Sequence, residues 1–66
     1  MSNHYRIRVA SQLDPAWSEL FAGMALRHDA GETLIEGPLP DQAALYGLLS
    51  RIRDLGLTLI ALERMP

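Results

Sequence analysis

The chain has 66 residues, no cysteine, 48% hydrophobic residues and a net charge of −2. This length predicts a single domain over residues 1–66, and the absence of cysteine excludes disulfides and thiolate metal sites. The hydrophobic content argues against disorder, and a set of six arginines interleaved with eight acids disfavours general binding to nucleic-acid phosphates.

The N-terminus and the longest apolar run predict a cytoplasmic protein with no membrane partner. The first six residues lack the basic region and long apolar stretch of a secretory signal. Residues 55–62 are mostly apolar, but this run is too short to span a bilayer and contains Gly56 and Thr58. The lack of cysteine also fits a reducing compartment.

The first predicted strand covers residues 5–9, where apolar and polar side chains alternate as in a half-buried strand. Such alternation sends successive side chains to opposite faces of a sheet. Tyr5, Ile7 and Val9 are predicted to face the helices. The other face then carries His4, Arg6 and Arg8.

The first helix is predicted to begin at Asp14, since Asp is a good N-cap and Pro15 suits the first helical position. We expect about two turns that end at Gly23, with Trp17 as the main buried anchor. The apolar residues at helical spacing are Trp17, Leu20, Phe21 and Met24.

Residues 24–28 and 33–36 are predicted to form a hairpin around a three-residue loop at 29–31. In that register Leu34 faces the helices, and Ile35 lies on the open face of the sheet. The predicted cross-strand pairs are His28 with Glu32, Leu26 with Leu34, and Ala25 with Ile35. Arg27 and Thr33 are also placed on the open face.

The second helix is predicted over residues 41–55, with Asp41 at its N-terminus and Gly56 as its C-cap. Residues 37–40 precede it and are predicted to end the third strand, because their two prolines remove backbone donors. The predicted buried face consists of Leu45, Leu48, Leu49, Ile52 and Leu55.

The last predicted strand covers residues 57–62 and is followed by a polar tail. The order of elements is therefore β, α, β, β, α, β. Two βαβ halves joined by a hairpin predict an α+β, ferredoxin-like sandwich, in which two helices cover one face of a four-stranded antiparallel sheet.

One segment carries a resemblance to other proteins. Residues 37–57 contain the pattern GPxxDQAALxGLL followed by RIRDLGL. This segment resembles a stretch found in short uncharacterised bacterial proteins of this size, closely over the last third of the chain and loosely elsewhere. The resemblance implies a stand-alone bacterial domain with a ferredoxin-like fold, and it transfers no catalytic residue.

The last strand is apolar on both faces, so some of its large side chains are predicted to stay outside the core. Ile60 and Leu62, together with Ile35, are predicted to form an apolar patch on the open face beside Arg6 and Arg8. We therefore predict a non-catalytic interaction module without a cofactor. The predicted assembly is a homodimer that buries the open sheet face, and a different protein partner also stays open.

The main alternative is a domain that senses a small ligand. Arg6, Arg8 and Arg27 are placed to bind a carboxylate or another anion, because guanidinium groups make bidentate contacts to such ligands. Glu32 and Glu36 lie near enough in sequence to neutralise these arginines across strands.

A small enzyme is the third hypothesis, and its sequence support is weakest. The serines lack the context of a nucleophile. The only cluster of metal-ligand types is His28 with Asp29 and Glu32, whereas zinc requires three or four well-placed ligands, so we predict no metal site. RNA binding by the sheet needs exposed aromatic residues, and the only strand aromatic, Tyr5, is predicted to point inward.

Overall fold

The computed structural model describes residues 3–65 of the chain. Its elements are β1 (His4–Val9), a 3-10 helix (Pro15–Phe21), β2 (Ala25–Asp29), β3 (Glu32–Pro38), α1 (Gln42–Asp54) and β4 (Leu59–Met65). The strands form one antiparallel sheet in the order β2-β3-β1-β4, which confirms the α+β class and the four-stranded antiparallel sheet. Neither helix within the described range is long and apolar enough to cross a membrane.

The first helix is a 3-10 helix rather than the predicted α-helix. The side chain of Asp14 accepts a hydrogen bond from the Ala16 backbone N–H at 2.9 Å, so the predicted N-cap is confirmed. Trp17 as the main anchor is wrong, because it is 40% exposed whereas Phe21 is fully buried. A 3-10 helix has three residues per turn, so Trp17 shares a face with the exposed Leu20 and not with Phe21.

The β2–β3 turn has two residues instead of the predicted three. Asp29 pairs directly with Glu32, and the residues between them, Ala30 and Gly31, have φ values of 53° and 82°. Positive φ at both central positions is the requirement of a type I′ turn, whose twist matches that of the flanking strands. The predicted hairpin register is therefore wrong by one residue.

This shift exchanges the two faces of β3, because side chains alternate along a strand. Ile35 pairs with Ile7 and faces the helices, where it is fully buried. Leu34 instead lies on the open face, between Arg8 of β1 and Arg27 of β2. The predicted positions of Leu34 and Ile35 are both wrong, as is that of Thr33, which is fully buried on the helix side.

β3 also continues further than predicted. It includes Gly37 and ends at Pro38, which pairs with His4. β2 reaches only as far as the pair between Ala25 and Glu36, so Pro38 has a neighbouring strand on one side and is tolerated as an edge residue would be.

The core lies between the sheet and both helices. The Asp41 side chain accepts from the Ala44 N–H at 2.8 Å and caps α1, as predicted. Leu55, predicted to be buried, is the C-cap residue and is exposed. Both helices contribute to one cluster with the inward residues of β1, so they lie on the same face of the sheet. The cluster comprises Tyr5, Ile7, Val9, Leu13, Phe21, Met24, Ile35, Leu39, Leu45, Leu48 and Ile52.

Candidate protein interface

The open face of the sheet is predominantly charged. Arg6 and Arg8 lie on this face, as the alternation of β1 predicts, opposite Glu36 and Leu34 of β3. On the other side of β1 they lie opposite Glu63 and Ala61 of β4. The charged residues of the open face are Arg6, Arg8, Arg27, Asp29, Glu32, Glu36 and Glu63.

Arg8 joins three strands across this face. It donates to Glu32 of β3 at 2.8 Å and to Asp29 of β2 at 3.0 Å. The hydrogen bond to Glu32, followed by the one to Asp29, raises the pKa of Arg8 above its ordinary value. The guanidinium therefore already has two carboxylate partners within the protomer.

Glu36 lies beside the other two arginines and hydrogen-bonds one of them, Arg27. Its Oε1 accepts a hydrogen bond from Arg27 at 3.0 Å and lies 3.6 Å from Arg6 Nε. The structure therefore brings Arg6, Arg8 and Arg27 together on one face, as the anion hypothesis requires. Each of the three, however, is placed beside a carboxylate of the same face.

Leu34 is the large aliphatic residue on β3 that points to the open face, and it is only 4% exposed. Its neighbours across the two flanking strands are Arg8 and Arg27, whose aliphatic stems can cover apolar surface while their charged ends stay in water. Ile35 contributes nothing here because it is buried in the core. The apolar patch predicted for the open face is therefore not formed there.

Large exposed aliphatic side chains are found instead along the edge strand β4. Leu62 pairs with Ile7 and so lies on the helix side of the sheet. The register shifts between the Arg8–Ala61 and Val9–Leu59 pairs, which leaves Ile60 as the extra residue of a bulge. We call Leu59, Ile60 and Leu62 the β4 apolar surface; they are 45%, 45% and 41% exposed.

The backbone of β4 is paired on one side only, because β4 is the last strand of the sheet. The ion pairs formed within residues 3–65 include neither Glu63 nor Arg64.

Sequence reasoning identified Ile60 and Leu62 as unburied but missed Leu59. It also assigned the exposed residues to the sheet face, whereas they lie at the sheet edge.

The opposite edge strand, β2, is linked to its surroundings by side chains. His28 Nε2 lies 2.6 Å from the Leu13 carbonyl oxygen. The buried Thr33 hydroxyl donates to the Ser11 carbonyl at 2.6 Å and accepts from the Leu13 N–H at 2.9 Å. These bonds fix the segment that leads into the 3-10 helix, which packs against β2.

The alternation of side chains along β2 and β3 separates the residues considered for a metal site. Asp29 and Glu32 bond Arg8 on the open face, whereas His28 is opposite the inward-facing Thr33. Among residues 3–65, no group of three His, Cys, Asp or Glu side chains is arranged to hold a metal ion.

A shallow groove of about 320 Å³ separates the 3-10 helix from α1. Leu20, Ala44, Gly47 and Leu48 contribute to its walls. A Cβ atom at Gly47 would meet nothing within 4 Å. Close packing inside the protomer therefore does not explain this glycine.

Together, these observations define a small α+β domain with a charged sheet face and an apolar edge strand. The chain belongs to the family described as Domain of unknown function (DUF8691), which matches residues 4–63. The match runs from the start of β1 into β4, and so covers five elements in full and β4 as far as residue 63. Neither a curated protein nor a solved structure matches the chain.

Proposed function

We propose that this chain is a non-catalytic interaction module that forms a homodimer through the β4 apolar surface. The observation that carries the proposal is the exposure of Leu59, Ile60 and Leu62 on one edge strand. Single exposed aliphatic residues are ordinary on protein surfaces. Here three of them fall within four positions of one strand, and clusters of exposed apolar residues mark interaction sites.

The charge distribution favours the β4 edge over the open face as the site of self-association. Burying the open face would remove water from Arg8, Asp29 and Glu32, which already pair with one another at the surface. Desolvating charged groups is costly unless the new partners are well placed. Covering the β4 apolar surface carries no comparable penalty.

The expected dimer is weak. Full burial of a Leu or Ile side chain contributes about 1.5–3 kcal/mol, and less than half of each β4 side chain is left to bury. Six such side chains in a dimer supply about 4–8 kcal/mol, against an association cost of about 4–15 kcal/mol. Further hydrogen bonds are needed, and we expect a dissociation constant of about 10–100 µM.

The anion-sensing alternative receives less support from the geometry. An anionic ligand at Arg8 would compete with Glu32 and Asp29, which lie 2.8 and 3.0 Å from the guanidinium. A ligand at Arg27 would compete with Glu36 in the same way. The pairing of Arg8, Arg27, Asp29, Glu32 and Glu36 within the protomer also supports the non-catalytic part of the proposal, since it occupies most of the charged groups of this face.

We also infer that the topology is a ferredoxin-like one in which the 3-10 helix replaces the first α-helix. Two features support this inference. β3 lies between β1 and β2, and β1 lies between β3 and β4, so each helical connection crosses over one strand. Both helices share one core with the same face of the sheet, as in split βαβ units.

Sedimentation equilibrium at about 5 µM and about 500 µM, on either side of the expected dissociation constant, tests the proposal. The 7.3 kDa chain is expected to approach twice its mass at the higher concentration. Ile60→Glu is expected to keep the monomer mass, because a charge would be buried in the contact. Ala25→Glu, which adds the same charge to β2, is expected to dimerise like the wild type.

Thermal unfolding of each variant at the lower concentration establishes that it is folded. A wild-type chain that keeps its monomer mass at both concentrations overturns the proposal. So does a folded Ile60→Glu variant that still dimerises, because the contact would then lie elsewhere on the molecule.

A further inference from the structure

We infer that the β4 apolar surface receives β4 of a second copy, paired antiparallel about a two-fold axis at Ala61. The two four-stranded sheets would then join edge to edge into one continuous sheet. This inference rests on the proposed self-association and specifies how the two copies meet.

The unpaired backbone of β4 favours strand pairing over contact through side chains alone. β4 spans seven residues and borders only β1, so its outer edge presents N–H and C=O groups without strand partners. An edge of this kind is a template for another strand. Each main-chain hydrogen bond adds about 0.5–1.5 kcal/mol net. Several such bonds can supply the association free energy that the side chains alone do not.

The side-chain pattern of β4 selects the register. Ile60 and Leu62 are two positions apart and flank Ala61. With the axis at Ala61, each Ile60 lies opposite the partner's Leu62, and this pair occurs twice. Cross-strand pairs of this type contribute about 0.2–1 kcal/mol relative to alanine pairs.

The neighbouring registers are less favourable. An axis at Leu62 places Ile60 opposite the partner's Arg64, and an axis at Ile60 moves Leu62 opposite the partner's Thr58, outside β4. An axis at Glu63 brings two like charges directly opposite each other, which destabilises a strand pair. Only the axis at Ala61 pairs Ile60 with Leu62 and keeps each charged residue away from its own copy.

The chain lacks cysteine, so single cysteines can report this geometry. Residues paired across an antiparallel two-fold have Cα atoms about 4.5–5.5 Å apart, within disulfide range. Ala61→Cys is therefore expected to form a covalent dimer under mild oxidation. Glu63→Cys places its two sulfurs four residues out of register, about 13 Å along the strands. It is expected to crosslink at about one tenth of the Ala61→Cys rate or more slowly still.

A second pair of variants tests the register independently of the axis position. Ile60→Cys mixed with Leu62→Cys is expected to give a mixed covalent dimer faster than either variant alone gives its own. The reaction is run at about 500 µM, well above the expected dissociation constant, and followed by non-reducing electrophoresis. Ala25→Cys on β2 provides the background rate of random collision.

The outcomes separate this inference from the proposed function. If sedimentation shows a dimer but Glu63→Cys crosslinks as fast as Ala61→Cys, the register is wrong and self-association stands. If Ala61→Cys and the mixed pair react no faster than Ala25→Cys while the dimer persists, strand pairing is wrong. If the wild-type chain is monomeric at both concentrations, the proposed function fails and this inference fails with it.

Discussion

The two edges of the sheet are built differently. β2 has five residues, and two of them, Arg27 and Asp29, pair with charged residues of β3 and β1. Its His28 contacts the segment that precedes the 3-10 helix. β4 has seven residues and exposes three aliphatic side chains. Charged residues on a short edge strand oppose pairing with other chains, whereas a longer apolar edge invites it.

Of the two edge strands, β4 exposes large aliphatic side chains and β2 does not. A chain of this size buries only a small hydrophobic core, and many such domains depend on a partner, a metal or disulfides for stability. The described residues place charges and hydrogen bonds along β2 but leave apolar groups on β4. The asymmetry can be tested by substitutions that compare the two sides directly.

The largest effect is expected from a matched pair of isoleucine substitutions. Ile35→Ala, next to β2 in the core, should lower the free energy of unfolding by about 2–5 kcal/mol because it leaves a cavity. Ile60→Ala on β4 should lower it by about 1 kcal/mol or less in the monomer, since the residue is half exposed. Urea unfolding at low concentration measures both. Equal losses would contradict the assignment of Ile35 to the core.

A smaller loss in the free energy of unfolding is expected when Thr33 of β3 no longer holds the segment that leads into the 3-10 helix, which packs against β2. Thr33→Val deletes the hydroxyl that bonds the Ser11 carbonyl and the Leu13 N–H. Leaving buried backbone groups unsatisfied costs about 1–3 kcal/mol. Thr58→Val, at an exposed position before β4, is the control and should stay within about 0.5 kcal/mol of the wild type. A Thr33→Val variant as stable as the control would show that these hydrogen bonds are dispensable.

The smallest effect is expected on the open face. Arg8→Met removes exposed ion pairs to Asp29 and Glu32, so the decrease in Tm should be slight and should shrink as salt is added. The raised pKa of Arg8 gives a stabilisation that is present below the ordinary arginine pKa and lost only when pH rises through the raised value. Arginine titration itself should therefore add no pH dependence between about pH 6 and pH 9. A difference in Tm that grows with salt would contradict this interpretation.

Much of the fold follows from local sequence signals. The alternation in β1 gives the correct strand and inward face, and both aspartates cap helices as predicted. The apolar stripe of α1 gives the correct helix and most of its buried face, but not Leu55. Each of these signals depends on residues close together in the chain. The first helix does not follow in the same way. Its seven residues contain helical spacing, but that spacing does not distinguish a 3-10 helix from an α-helix, and the two bury different side chains.

The candidate site was predicted only in part, and one turn explains the misplacement of Ile35. Alanine is uncommon at positive φ, so Asp29-Ala30-Gly31 favours a loop with glycine alone in that conformation. The structure places Ala30 there as well. The resulting shift of one residue moves Ile35 into the core. The positions of Ile60 and Leu62 are set separately, by the pairing of β4 with β1 and by the bulge in β4.

The unequal edges also set a limit on how far assembly can proceed. Because an isologous contact uses the same patch on both molecules, two copies joined at β4 leave only their β2 strands at the ends of the combined sheet. The β2 strands at these ends carry charged side chains that already pair within the protomer, and they expose little apolar surface to a third copy. Growth should stop at two subunits, so the protein would gain a partner without becoming a seed for fibrils.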